Sequence, residues 1–384
     1  MLLKRKLNLS KLIEKKSHFL FGPRSTGKSS LIGTELVGKA IIINLLRAPV
    51  YSKLSIDPGE LEGLIDAEES VFNKQVVVID EIQKVPGLLD EVHRLIEERK
   101  IRFLLSGSSA RKLKVTGVNL LGGRAWIAHL FPLTYPEIPN FQLDRMLRFG
   151  GLPHVYLSKY PEKELEAYVQ TYLNEEIKME GLVRKIPAFV GFLRAAALSN
   201  SQQINFTEIA NDTGVSPTTI REYFAILEDT LIGTVVEPWS KSKKRKSVTT
   251  AKFYFFDTGV CHALSDTKYL DRNSDLYGKS FEHWLFMEIQ AYLSYSQSGL
   301  KLSFWRSQDK KEVDFIIGNE VAIEVKSTKR ISNGNFSGLR ALKEEGIIKK
   351  FYLVTHDTTD TKKEDFICLH WKSFIERLWQ GACF

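Results

Sequence analysis

Gly22-Pro23-Arg24-Ser25-Thr26-Gly27-Lys28-Ser29 fits the pattern G-x-x-x-x-G-K-[ST], with apolar His18-Phe19-Leu20-Phe21 before it and Ser30-Leu31-Ile32 after it. A strand, a loop and a helix in that order are what a phosphate-binding loop needs. Gly22 and Gly27 let the backbone curl until successive N–H groups face phosphate oxygens, and the positive end of the following helix adds to the field. The residues expected to hold a nucleotide are Gly22, Pro23, Arg24, Ser25, Thr26, Gly27, Lys28, Ser29 and Ser30. Lys28 would reach the β- and γ-phosphates and the Ser29 hydroxyl would ligate Mg²⁺, so ATP with magnesium is the expected cofactor.

A second set of chemical groups closes an apolar run. Gln75-Val76-Val77-Val78-Ile79 leads into Asp80-Glu81, which reads as a buried parallel strand with carboxylates at its C-terminal edge, where open α/β sheets hold ligands. Asp80 would hold Mg²⁺ through water and Glu81 would act as general base on the attacking water. Arg102-Phe103-Leu104-Leu105-Ser106 is another buried strand, followed by Gly107-Ser108-Ser109-Ala110-Arg111. A polar side chain at its tip would sit between the acids and the γ-phosphate. Ser106 is the first choice for that sensor and Ser108 the second.

A third set lies near the C-terminus. Glu312-Val313-Asp314-Phe315-Ile316-Ile317 and Val321-Ala322-Ile323-Glu324-Val325-Lys326 alternate in polarity around Gly318-Asn319-Glu320. A three-residue loop pairs Val313 with Val325, Phe315 with Ile323 and Ile317 with Val321, an apolar face; a two-residue loop would mix the faces, so the longer loop is expected. The other face then sets Asp314 against Glu324 and Glu312 against Lys326. Opposed carboxylates repel unless a positive charge lies between them. A divalent metal held by Asp314 and Glu324 would supply it, with Lys326 beside the metal, not a ligand, steadying developing charge.

These groups need a large scaffold, and 384 residues provide one. With 43% hydrophobic and 26% charged residues the composition is globular, and 54 basic against 46 acidic side chains give a formal charge of +8, compatible with a polyanionic partner. Cys261, Cys368 and Cys383 are too far apart for a zinc ribbon and suggest no disulfide framework, which fits a reducing cytoplasm. No run approaches a membrane span or a secretory signal. Residues 1–17 read as an amphipathic leader, with Leu7, Leu9, Leu12 and Ile13 on its apolar side, and Ala40 to Asn44 as a strand. Residues 50–74 and 88–100 read as helices, and 141–200 as a helical connector with Tyr168, Tyr172, Leu165, Val169 and Leu173 in its core.

Residues 205–257 have the pattern of a helix-turn-helix with a wing. Asn205 or Thr207 caps a first helix, Thr213-Gly214-Val215-Ser216 turns, and Pro217 opens a second. Two strand-like runs, 231–236 and 252–256, flank Lys241-Ser242-Lys243-Lys244-Arg245-Lys246, which a hairpin would present at its tip to DNA or RNA phosphates or, alternatively, to a protein.

The phosphate loop, the acidic strand, Leu104-Leu105-Ser106-Gly107-Ser108-Ser109, Leu121-Gly122-Gly123-Arg124 and Phe131-Pro132-Leu133-Thr134-Tyr135-Pro136-Glu137 together resemble the prokaryotic AAA-type ATPases that carry a C-terminal domain of unknown function. That resemblance implies ATPase activity, and it makes Arg124 a candidate for a catalytic arginine presented to a neighbouring subunit of a homo-oligomer, or for a sensor within its own chain. The spacing D-x₉-E-x-K at 314–326 resembles the PD-(D/E)XK phosphodiesterases, though no proline precedes Asp314; the upstream helix acid of that family would be Glu282.

The expected fold class is α/β. An AAA-like P-loop NTPase domain with a parallel sheet spans residues 1–140, a helical connector 141–203, a winged helix 204–265, and a restriction-endonuclease-like α/β domain 266–384. The expected activity is ATP hydrolysis coupled to nucleic-acid binding or processing. Two alternatives remain: a nucleotide-controlled interaction switch with an inactive nuclease-like domain, and a metal-dependent nuclease with structural ATP.

Overall fold

Short runs of β-branched and aromatic residues in the first third of the chain become parallel strands buried on both faces, as such runs must when helices cover each side. The computed structural model describes residues 3–72, 76–108, 111, 121–173 and 186–384. Gln75, Ser109, Ala110 and the stretch 174–185 lie outside the described residues, as do the side chains of Tyr172 and Leu173. Two units result, Met1–Leu133 with Asp229–Ile232, and Thr134–Glu228 with Gly233–Phe384.

In the first unit, β1 (Ser17–Phe21), β2 (Ile41–Asn44), β3 (Val76–Asp80), β4 (Arg102–Gly107) and β5 (Ala125–His129) form a sheet in the order β2-β3-β4-β1-β5. Every neighbouring pair is parallel. β4 is thereby inserted between the strand that carries the phosphate loop and the strand that ends in Asp80. Helix Leu88–Arg99 buries Leu88, Leu89, Val92 and Leu95 at helical spacing against Phe103, Val77 and Ile79 of the core. Each such burial stabilises by about 1.5–3 kcal/mol. The leader forms helix Leu9–Lys15, capped by the Asn8 side chain accepting from Lys11 N, with Leu9, Leu12 and Ile13 buried.

The second unit opens with short helices, Leu143–Phe149, Pro153–Leu157 and Pro161–Ala167, and then a wider π-type turn, Tyr168–Leu173. Pro161 breaks the pattern at Tyr160, because a residue before proline is pushed out of the α region. Helices Phe206–Thr213 and Pro217–Asp229 are joined through Gly214 at φ 67°, and it is Asn205 that caps the first, its side chain accepting from Glu208 N. The antiparallel pair β6 (Gly233–Val236) and β7 (Lys252–Phe255) follows.

The long segment between β6 and β7 differs from the expected free wing tip. Trp239 N donates to Phe304 O (2.7 Å) and Val248 N to Arg306 O (2.9 Å), so it runs along β8 (Leu302–Arg306). The N–H groups of Lys243, Lys244 and Arg245 all donate to the Glu345 carboxylate, at 2.5, 2.7 and 3.0 Å, and the Arg245 guanidinium is engaged by Glu344 and the Ala341 carbonyl. Burial alone would raise the Glu345 carboxyl; the N–H groups of Lys244 and Lys243 outweigh it and hold it below its ordinary range. The backbone of the basic run is therefore fixed, while Lys241, Lys243, Lys244 and Lys246 still point to solvent.

β8 begins a six-stranded mixed sheet with β9 (Glu312–Ile317), β10 (Val321–Val325), β11 (Lys350–Thr355), β12 (Thr361–Lys363) and β13 (Phe366–His370), ordered β12-β13-β11-β10-β9-β8. Register is as the alternation demands: Val321 pairs with Ile317 and Ile323 with Phe315, across a three-residue loop whose Gly318 has φ 58°. Helix Asp275–Tyr295 carries Glu282.

Candidate functional site

The phosphate loop leaves β1 at Phe21 and enters helix Lys28–Glu35 through Gly27 at φ 93°. Gly22 has a steric reason: a Cβ there would lie 2.4 Å from the Leu130 carbonyl oxygen. The Thr26 hydroxyl closes the loop on Pro23 O (2.9 Å), and Lys28, nearly buried, donates to the carbonyls of Gly22 (2.6 Å) and Pro23 (3.0 Å). Ser29 and Ser30 are exposed on the first helical turn.

Strand register brings the other groups to the same edge. Phe19 pairs with Leu105 and Leu105 with Ile79, so Leu20, Ser106 and Asp80 lie level, two residues below Gly22. The Ser106 hydroxyl donates to Asp80 Oδ1 and accepts from Glu81 N at 3.3 Å. Asp80 and Ser106 are buried. Glu81 sits in the left-handed region at φ 66°, as does Ser25 at φ 63°, a conformation that costs a non-glycine residue about 1–2 kcal/mol.

In the second unit the structure also gathers the expected residues. Asp314 Oδ2 accepts from Val325 N at 2.8 Å, so the β9–β10 ladder ends at the Phe315–Ile323 pair and the Asp314 carboxylate takes over as acceptor. Lys326 pairs with Glu324 at 2.5 Å. Glu312 is not set against Lys326; it pairs with Arg306 (2.9 Å) across β8–β9 and with Lys252 (2.7 Å). The cluster expected to hold a divalent metal also receives a lysine from outside the sheet. Lys252, 3% exposed, reaches into the carboxylates from β7, 3.1 Å from Glu282 and 4.0 Å from Asp314, and among the described residues no group of three His, Cys, Asp or Glu is arranged to hold a metal ion. The Tyr254 hydroxyl, two residues along on the same face, donates to the same Glu282 oxygen at 2.5 Å.

Burial governs the charges of this cluster. It pushes Glu282 up to about 7 against the pull of Lys252, and with the neighbouring Asp314 it pushes Glu324 well above the carboxylate range. Burial would lower Lys252, but the carboxylates around it raise it well above an ordinary lysine. Glu312 ends below its ordinary value because Lys252 outweighs its burial.

Residues 14–139 match the family model described as AAA domain. This segment is an AAA domain. Beyond the AAA domain, residues 140–271 and 277–374 match two domains of unknown function (DUF8612 and DUF4143). An uncharacterized protein of Mycobacterium tuberculosis is 29% identical over 339 residues, covering 83% of this chain and 73% of its own length. Another, from Haemophilus influenzae, is 25% identical over 275 residues, 66% of this chain and 64% of its own. The replication initiator DnaA bound to AMPPCP and single-stranded DNA aligns with TM-score 0.30 and 11% identity, over 59% of this chain and 90% of that one, too distant to inform the site.

Within the AAA domain, Arg124 stands apart from the phosphate loop. Gly122 and Gly123, both at positive φ, turn the chain so that Arg124 pairs with Glu97 just before Ala125, which is paired with Ser17 at the start of β1. The loop lies at the other end of that strand, roughly 16 Å away. Arg124 does not reach a nucleotide held by its own chain.

Two residues of the first unit escaped the sequence reading. Arg5 donates to the carbonyls of Thr26 and Phe131, each at 2.6 Å, and so ties the back of the phosphate loop to the chain after β5. No local pattern signals a bond across 126 residues. Gln83 donates to Glu81 and to Ser108, and its own carbonyl oxygen is buried with no hydrogen-bond partner among the described residues. Its position two residues after Glu81 was the available signal. No described helix is long and apolar enough to cross a membrane.

Proposed function

We propose that this protein binds ATP with Mg²⁺ in the cradle Gly22–Ser30 and hydrolyses it to ADP and phosphate. The observation that carries the reading is the level edge: Asp80 and Ser106 stand two residues below Gly22, and the partner of the Asp80 carboxylate among the described residues is a neutral hydroxyl. A carboxylate oriented by a hydroxyl at this edge suits the ion that accompanies ATP. Ser29 and Asp80 would hold the magnesium, which when bound offsets charge on the phosphate oxygens. Lys28 orients the β- and γ-phosphates, Glu81 takes the proton of the attacking water, Gln83 holds the Glu81 carboxylate in place, and Ser106 fixes Asp80 beside it. Phosphate release with and without Mg²⁺, together with binding of a fluorescent ATP analogue, tests the reading; wild-type protein with no affinity for any nucleoside triphosphate would overturn it.

Nucleotide turnover would act on partners through the second unit. Four solvent-facing lysines on a fixed segment, Lys241, Lys243, Lys244 and Lys246, support contact with DNA or RNA phosphates. A nucleotide-controlled switch that binds another protein is favoured by a different observation: Glu282 and Glu312 of the last domain are already ion-paired with Lys252. Stimulation of ATP turnover by DNA at low salt and its loss at high salt select the first; indifference to DNA and RNA selects the second. A homo-oligomer in which Arg124 meets a neighbour's nucleotide belongs to the same proposal, and predicts that Arg124→Ala slows hydrolysis without weakening binding.

A further inference from the structure

We propose that Lys252 is the resident cation of the acid cluster in the last domain, and that its ammonium closes this site to divalent metal ions. The resemblance to metal-dependent phosphodiesterases implies a metal among Glu282, Asp314 and Glu324, and the backbone brings all three together with Lys326. The ammonium of Lys252 lies on the Glu282 and Asp314 side of this group, 2.7 Å from Glu312, 3.1 Å from Glu282 and 4.0 Å from Asp314. It arrives from β7, outside the six-stranded sheet, and so is not one of the residues that the resemblance covers.

Charge and packing point the same way. Glu282, Glu312, Asp314 and Glu324 face Lys252, Lys326 and Arg306, an excess of one negative charge. Within the cluster Glu324, 5% exposed, has its Oε2 buried with no hydrogen-bond partner among the described residues. A dication entering this space would meet a buried ammonium hydrogen-bonded to Glu282 and 4.0 Å from Asp314, and like charges at such distances repel strongly in a low dielectric. Withdrawing Lys252 is no escape. Its backbone pairs with Val236, and the next three residues, Phe253, Tyr254 and Phe255, are wholly buried, with Tyr254 stacked on Phe286 at 4.2 Å between ring centroids. The nuclease-like arrangement thus serves as an ion-paired junction between the β6–β7 pair and the sheet. With Lys252 replaced by an uncharged residue, four carboxylates would face two cations, the deficit that one divalent ion fills.

The test is titration of Mn²⁺ into the full-length protein without nucleotide, read by electron paramagnetic resonance of the free ion and by calorimetry. Wild type, Asp314→Asn and Glu324→Gln are expected to give the same isotherm. Lys252→Met gains one site, at least tenfold tighter than anything in wild type, and Lys252→Met/Asp314→Asn loses it. A wild-type site that either acid substitution removes overturns the proposal, as does a folded Lys252→Met that gains none. If Lys252→Met does not fold, the comparison of wild type with Glu324→Gln decides alone, since it needs no change at Lys252. The inference does not rest on ATP binding, and failure of the nucleotide reading leaves these outcomes unchanged.

Discussion

Asp80 in the first unit, buried at the end of β3, and Glu282 in the second, half-buried on helix Asp275–Tyr295, are held by different chemistry. Asp80 is held by the Ser106 hydroxyl, a neutral donor, whereas Glu282 is held by the Lys252 ammonium and the Tyr254 hydroxyl. A hydroxyl orients a carboxylate without neutralising it, so the group still favours a cation. An ammonium brought by the fold neutralises it permanently, and removing one partner of such a pair is far more costly than never having built it. A third arrangement shows the remaining option. Glu288, 2% exposed, accepts from Tyr135 N, Trp284 Nε1 and Trp379 Nε1, and burial raises it to about 8, so near neutrality a proton does the neutralising. One acid is oriented by a hydroxyl, one is paired with a lysine, and one keeps a proton.

The largest effect that separates the first two falls on the phosphate loop. Lys28→Ala is expected to reduce ATP hydrolysis by roughly 10³-fold or more, the scale of a lost transition-state cation, with weakened nucleotide binding. Glu81→Gln loses roughly 10²–10⁴-fold in turnover while binding is kept. Neither changes Mn²⁺ titration of the second unit; a change there would break the separation of the two sites. Next comes Lys252→Ala, which leaves the half-buried Glu282 and Glu312 without their cation and is expected to cost about 3 kcal/mol in urea unfolding, the low end for a broken buried pair. A loss under 1 kcal/mol would show that the carboxylates are neutralised by protons as Glu288 is.

Glu288 sharpens the contrast through pH. Its folded pKa lies above its unfolded value of 4.5, so the stability it confers is complete below about 4.5 and is lost as pH rises through about 8. Between pH 5 and 8 that loss is about 3 kcal/mol in the urea-derived free energy. Glu288→Gln, which cannot ionise, flattens this part of the profile. A wild-type curve that rises across the same window would mean that the three N–H donors keep Glu288 ionised.

How much of this was legible follows from which interactions are local. The phosphate loop, the acidic strand and the β9–β10 register are written in contiguous residues, because period-two alternation and a glycine-lysine spacing act over fewer than fifteen positions. Ser106 was reachable for the same reason: it is the last side chain of a buried strand before a turn. Lys252 was not recognised, although the sequence holds a hint, a lysine heading the otherwise apolar Lys252-Phe253-Tyr254-Phe255. Its meaning needs Glu282 and Glu312, thirty and sixty positions on, and no pattern of one strand encodes them. The basic run is legible only in part for a related reason: local charge says that 241–246 favours solvent, as its lysines do, and only the distant Glu345 reveals that the N–H groups of 243–245 are engaged.

The smallest expected effect tests that last point. Glu345 accepts three main-chain N–H groups, and three successive donors aimed at one carboxylate form a binding nest whose occupant belongs to the chain itself. Glu345→Ala returns those donors to water, at a cost of about 1–3 kcal/mol, and frees the segment to move. Trypsin should then cut within 241–246 several-fold faster, and binding to single-stranded DNA should strengthen at low salt, because lysines on a mobile segment can adapt to a phosphate chain while fixed ones cannot. Unchanged cleavage would instead assign the hold to the pairing of Trp239 and Val248 with β8. In that case the acid at 345 shapes the turn without restraining it, and the basic run is as available to a polyanion in the native protein as in the variant.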